Sequence, residues 1–299
     1  MFRVSDLWEL YRTGHISQKV AAKDRLHFAW NNLKPHFGSL SLWKWPDEAV
    51  DQYRAKRLAG KIGRKAQQPT IRRELNALRA CLNWCAHPAR KLIAPATIPY
   101  IELPEHGEPA DRWLTTYEIK KLFEAAARMR RVDKDRLSRC ERFLWLALET
   151  GARKGAICDL TWDRVDFETN VIHYDVPGLR KTKKRRPSPP ISTALRAALE
   201  RMRDERRPKD GDLVVFNNSD PRTMVMRAAK LAGVRGVTPH VLRHTAATHM
   251  ARRGVPLWKI AKILGITLAM VERTYAKHSP DDLREAVDTI TGGAVQSSR

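Results

Sequence analysis

Apolar positions in the first third of the chain recur with helical spacing rather than alternating. They predict helices over residues 20–33, 46–58 and 70–86, the last opened by Thr70 as N-cap with Glu74 near the capping-box position. Residues 61–69 read as a connection. Pro95, Pro99, Pro104 and Pro109 then interrupt the pattern, with Glu102, Glu105, Gly107 and Glu108 between them, the composition of a linker. Helical spacing resumes at 115–129, where Thr115 caps and Glu118 completes a capping box. An apolar helix over 142–150 ends at Gly151. Residues 171–174 alternate like a strand, with 183–191 as partner across a tip at 177–181. Beyond them the pattern predicts a helix at 192–203, a short strand at 213–216, and helices at 223–231, 240–252, 257–264, 268–275 and 280–290. The fold class expected is mainly α with a small antiparallel β-sheet: a helical domain over residues 1–105, a linker over 106–112, and an α+β domain over 113–299.

A length of 299 residues suits two domains. No apolar run approaches a membrane span, and the polar, acidic opening has no signal-peptide core, so a cytoplasmic or nucleoid location is expected. Cys81, Cys85, Cys140 and Cys158 are too few and too irregular for a disulfide framework. Cys81, Cys85 and His87 lie together, but no further ligand is spaced like a zinc site, and buried thiols on one helix face are expected instead.

Charge changes the picture most. Lys and Arg number 56 against 33 acids, a net +23. Such an excess calls for a polyanionic partner, which in a chain without membrane features means nucleic acid. The basic residues are spread over the whole chain and no lipidation motif is visible, which argues against a membrane. Charge supplies affinity without chemistry, and an architectural DNA-binding protein would share it.

Four short elements carry candidate chemistry. In Thr238-Pro-His-Val-Leu-Arg-His-Thr, Pro239 marks a helix entrance and puts His240 and Arg243 on one face. A guanidinium there grips phosphate bidentately, and an imidazole beside it moves protons near neutrality. Arg153, in Glu149-Thr-Gly-Ala-Arg-Lys-Gly, follows a glycine turn that lets its side chain enter a cleft. Gly178-Leu-Arg-Lys-Thr-Lys-Lys-Arg-Arg-Pro reads as a cationic hairpin whose Lys183, Lys184, Arg185 and Arg186 suit a DNA backbone. Tyr275 ends an amphipathic helix in Glu272-Arg-Thr-Tyr-Ala-Lys-His. Singly, each of these has an ordinary structural explanation.

In order and spacing, however, Arg153, Lys181, His240, Arg243 and Tyr275 resemble the tyrosine recombinase, or phage integrase, family. The surrounding words ETGARKGAICDLTWDRVDF, HVLRHTAATHMARRGVPLWKIAKILG and ERTYAKHSPDDLREAV are similar to that family's two arginine boxes and its tyrosine box. The resemblance implies a site-specific recombinase that needs no cofactor or metal. Tyr275 would attack the scissile phosphate to give a 3′-phosphotyrosine, and His240 would accept the phenol's proton. Arg153 and Arg243 would clamp the non-bridging oxygens. Lys181 would protonate the leaving 5′-oxygen, with Lys183 and Lys184 as rivals. Double-stranded DNA, a homotetramer on two DNA sites, and an accessory bending or directionality protein are the partners it implies. Two related activities share the resemblance: a type IB topoisomerase-like relaxing enzyme, and a catalytically impaired DNA-binding relative. Two positions depart from the family pattern. Ile266 stands where a His or Trp is usual, and Ala156 where an acid is usual, with Asp159 one turn further on.

Overall fold

The computed structural model describes residues 2–20, 23–105, 111–130, 135–176, 186–207 and 210–279. The chain forms two compact units, Met1–Ala110 and Asp111–Arg299.

The first unit is helical. Helices α1 (Val4–Tyr11), α2 (Lys23–Phe37), α3 (Ala49–Leu58) and α4 (Gln68–Ala86) surround a core centred on Leu33, Phe37, Tyr53, Leu75 and Leu78. Helix α1 buries Val4, Leu7, Trp8 and Tyr11, a spacing that sets one helical face against that core. Helix α4 starts before Thr70, because Gln67 holds the extended N-cap conformation and Pro69 fits the first turn. Glu74 therefore closes no capping box. It is buried against Arg57 at 2.8 Å and accepts the Tyr53 hydroxyl at 2.8 Å. The thiols of Cys81 and Cys85 are buried.

The second unit opens with α5 (Thr116–Ala127), for which Thr115 and Glu118 form the expected capping box. Helix α6 (Arg139–Thr150) begins three residues before its apolar pattern does, because Ser138 and Glu141 cap each other's backbone. Gly151, at φ 61°, ends it in the left-handed conformation. A short α7 (Lys154–Cys158) leads to β1 (Val165–Asp166), which pairs antiparallel with β2 (Val171–Ile172). The partner expected from 183–191 contributes a single bridge, Val171 to Pro190, and residues 177–185 lie outside the described residues. The strand expected at 213–216 does not form. Leu213 makes one bridge to Thr161, and the backbone then turns, with Phe216 at φ 70°. That turn sets the Phe216 ring 4.2 Å from the guanidinium of Arg142, which is buried and paired to Glu205 at 2.9 Å.

Five helices follow: α8 (Thr193–Asp204), α9 (Arg222–Ala232), α10 (Pro239–Arg252), α11 (Leu257–Leu264) and α12 (Leu268–Tyr275). Helix α9 packs on α5, and α8 and α10 pack on α6. Helix α10 buries every residue from Leu242 to Thr248, so it runs through the unit rather than along its surface. Its far side joins Ile260, Leu264, Val271 and Tyr275 in a small second core. The helix expected at 280–290 lies outside the described residues. Among the described residues no helix is long and apolar enough to cross a membrane.

Candidate active site

Three pieces of backbone converge in the second unit: the turn after α6, the first half of α10, and the end of α12. The turn is built around Thr150, whose hydroxyl donates to the Leu146 carbonyl at 2.6 Å and accepts the Ala152 N–H at 3.2 Å. The buried Tyr174 hydroxyl, 3.1 Å away, supplies the remaining bond to Thr150. This turn delivers Arg153, which is half-buried at the N-cap of α7 and whose ionised form burial disfavours.

Arg243 rises from α10, buried to 7% exposure. Its guanidinium donates to the Gly151 carbonyl at 2.7 Å and to the Leu264 carbonyl at 2.8 Å. Two of its five donors thus tie together the ends of α6 and α11. Its pKa is pushed down to about 10, by burial first and by the Arg153 charge second. Two guanidiniums that repel each other in a desolvated place favour an anion between them.

Tyr275 stands at the C-terminal end of α12 and is 6% exposed. Burial raises its pKa, and the charge of Arg243 works against that shift. Its hydroxyl lies 3.1 Å from Nδ1 of His244, a residue the sequence reading did not single out. On its other side, His244 Nε2 meets an Asp111 carboxylate oxygen at 3.3 Å. Asp111 also pairs with Lys277 at 2.7 Å and with His278 at 3.1 Å, both just beyond the tyrosine. Lys277 foremost, then the two histidines, hold the Asp111 carboxyl down at about 2. His244 is lowered from the ordinary histidine value by burial, against the pull of Asp111.

The other expected residues fall as follows. His240 is exposed at the first turn of α10, one turn before Arg243. Lys181, Lys183, Lys184 and Arg185 lie outside the described residues. Arg186 pairs with Asp159 at 2.9 Å, so the acid one turn after Ala156 braces the foot of the basic segment. Ala156 is buried, and Ile266 packs partly buried against the small core that holds Tyr275.

The second unit thus brings the half-buried Arg153, the buried Arg243 and Tyr275 onto three converging pieces of backbone, and comparison with known proteins says which family has this fold. The model of the phage integrase family matches residues 112–281, more than half of the chain, and the chain belongs to that family. Tyrosine recombinase XerA of Pyrococcus horikoshii is 34% identical over 196 residues, which cover 60% of this chain and 64% of that relative's length. Among solved structures, the Tn1549 transposon integrase bound to transposon right end DNA superposes with a TM-score of 0.72 at 18% identity, covering 97% of this chain and 100% of that one. The lambda integrase tetramer bound to a Holliday junction gives 0.69 at 13% identity, covering 94% and 79%. At those identities the structural matches speak for the fold.

Proposed function

We propose that the protein is a site-specific DNA recombinase of the integrase type, cleaving and rejoining double-stranded DNA through Tyr275. The observation that carries this reading is the pair of desolvated guanidiniums, Arg153 and Arg243: the charge of Arg153 reaches Arg243, and the charge of Arg243 reaches the Tyr275 phenol. They are suited to the non-bridging oxygens of a phosphodiester as negative charge builds in the transition state. Each preorganised donor of this kind is worth about 2.7–4 kcal/mol. Attack by the phenol oxygen on phosphorus expels the 5′-oxygen and leaves a 3′-phosphotyrosine. That link conserves the phosphodiester's energy, so rejoining needs no ATP. Lys181 protonates the leaving oxygen, and His240, exposed one turn before Arg243, is available to a phosphate oxygen or to a proton. Lys183, Lys184, Arg185 and Arg186 follow the DNA backbone. Residues 1–105 form a core-type DNA-binding domain, 106–112 the linker, and 113–299 the catalytic domain. Four copies act on two sites. The tetramer of lambda integrase on a Holliday junction supports that assembly by likeness of fold.

The test is covalent trapping. A nicked duplex carrying a sequence that the protein selects from a randomised library should yield a covalent protein–DNA product with the intact chain and none with Tyr275→Phe. Equal behaviour of the two proteins refutes the enzyme reading in favour of a DNA-binding relative. Strand exchange between two sites, as against relaxation of a supercoiled circle, separates a recombinase from a topoisomerase-like enzyme.

A further inference from the structure

Resting on the reading above, the geometry points to His244 as the group that takes the proton from Tyr275, with Asp111 as the positioning residue behind it. The phenol oxygen, the imidazole and the carboxylate stand in line, with contacts of 3.1 Å and 3.3 Å at opposite nitrogens of one ring. An ionised carboxylate only accepts, so Nε2 carries the ring proton and donates it to Asp111. In the neutral ring Nδ1 then presents a lone pair, and the Tyr275 O–H donates to it. This is the tautomer a general base requires. Asp111 has a second hold on the same nucleophile, because Lys277 and His278 bind it from the segment that directly follows Tyr275.

The step balances. As the phenol oxygen forms its bond to phosphorus, its proton moves to Nδ1, and the imidazolium is held by the Asp111 carboxylate. The bond from phosphorus to the 5′-oxygen breaks, and that oxygen receives its proton from Lys181. Rejoining runs the same path backwards, with the proton returning from His244 to the phenol.

The charged and titratable groups that face His244 are Asp111 from the start of the unit, Tyr275 from α12, His240 from its own helix, and His278 beyond α12. Burial, His240 and His278 disfavour its ionised form, and Asp111 favours it. Cleavage that depends on neutral His244 therefore falls as pH drops through this group's pKa, which lies below the ordinary histidine value. Removing the Asp111 charge moves that acid limb to lower pH and also lowers the plateau, since the imidazolium loses its partner.

Single-turnover cleavage of the nicked duplex, followed from about pH 5 to 8, tests this with the intact chain, His244→Gln, His240→Gln and Asp111→Asn. DNA affinity and thermal unfolding show that each variant is folded, and His244→Asn replaces His244→Gln should the latter fail to fold. His244→Gln is expected to lose at least about 100-fold on the plateau, and its acid limb with it. The loss should persist on a 5′-bridging phosphorothiolate, whose thiolate leaves without a proton and so hides defects in the acid. Asp111→Asn is expected to show a lower plateau and a limb at lower pH, whereas a merely structural role leaves the limb in place. Cleavage by His244→Gln within about threefold of the intact chain, or faster, overturns the inference. So does an acid limb lost in His240→Gln and kept in His244→Gln. An intact chain that forms no covalent product refutes the recombinase reading itself, a separate outcome.

Discussion

Gly151 is the position at which backbone strain and site geometry meet, and replacing it with alanine separates their contributions. Its φ of 61° lies in the left-handed region, which costs an L-residue about 1–2 kcal/mol. A Cβ there would stand 2.6 Å from Cδ2 of Leu264, well inside the optimum of about 3.5–4.0 Å for carbon pairs. Relief requires Leu264 or the turn to move, the kind of overpacking that costs about 1–3 kcal/mol. The sum for Gly151→Ala is a loss of about 2–5 kcal/mol. Two other glycines calibrate it. Gly233 has φ 68° and no atom within 4 Å of its would-be Cβ, so Gly233→Ala should cost only the backbone strain, about 1–2 kcal/mol. Gly155 sits inside α7 with the same open space and no positive φ, so Gly155→Ala should stabilise by up to about 1 kcal/mol. Denaturant unfolding measures all three. Because the Gly151 and Leu264 carbonyls are the two acceptors that aim Arg243, Gly151→Ala should also slow cleavage far more than Gly233→Ala does. A displacement near 1 Å at a catalytic group can cost about 100-fold. If Gly151→Ala is no more destabilising than Gly233→Ala, the close packing of that turn on α11 is refuted.

Two further outcomes follow from other parts of the chain. Glu74→Gln leaves Arg57, itself 3% exposed, without its counter-charge, and the helical unit should lose about 3–5 kcal/mol in equilibrium unfolding; a change below about 1 kcal/mol would show that water replaces the carboxylate. A clamp that neutralises about ten phosphates should give a slope near −9 when log affinity is plotted against log salt, and a slope shallower than about −3 would mean that the basic excess serves another purpose.

The parts of this molecule that were legible in its sequence are those where local chemistry and local structure coincide. Thr115 with Glu118 and Gly151 mark helix ends by the bonds that they make. Arg153, Arg243 and Tyr275 could be picked out because each sits in a recognisable word, and the fold brings the three pieces of backbone that carry them together. Asp111 could not be picked out. It lies 133 positions from His244 and resembles any acid of the linker, and only the fold sets it against Tyr275's own segment. His244 was visible as a letter but not as a role. The clue was that it follows Arg243 in a helix with Ala246, Ala247 and Thr248, residues small enough to be buried all round, where a polar ring needs a partner. The strand pairing failed for a simpler reason. Strand β1 is two residues long, too short for any alternation to register, so the more distant 183–191 looked like the natural partner. Arg142 misled in another way, as a charge that marked the apparent edge of an apolar helix while lying inside it at 1% exposure.

The most direct test of the central claim is to digest the covalent protein–DNA product of the nicked duplex and locate the nucleotide by mass spectrometry. The peptide containing Tyr275 should carry it, joined through the phenol oxygen to a 3′-phosphate. A nucleotide on any other residue, or one joined through a 5′-phosphate, would contradict the claim.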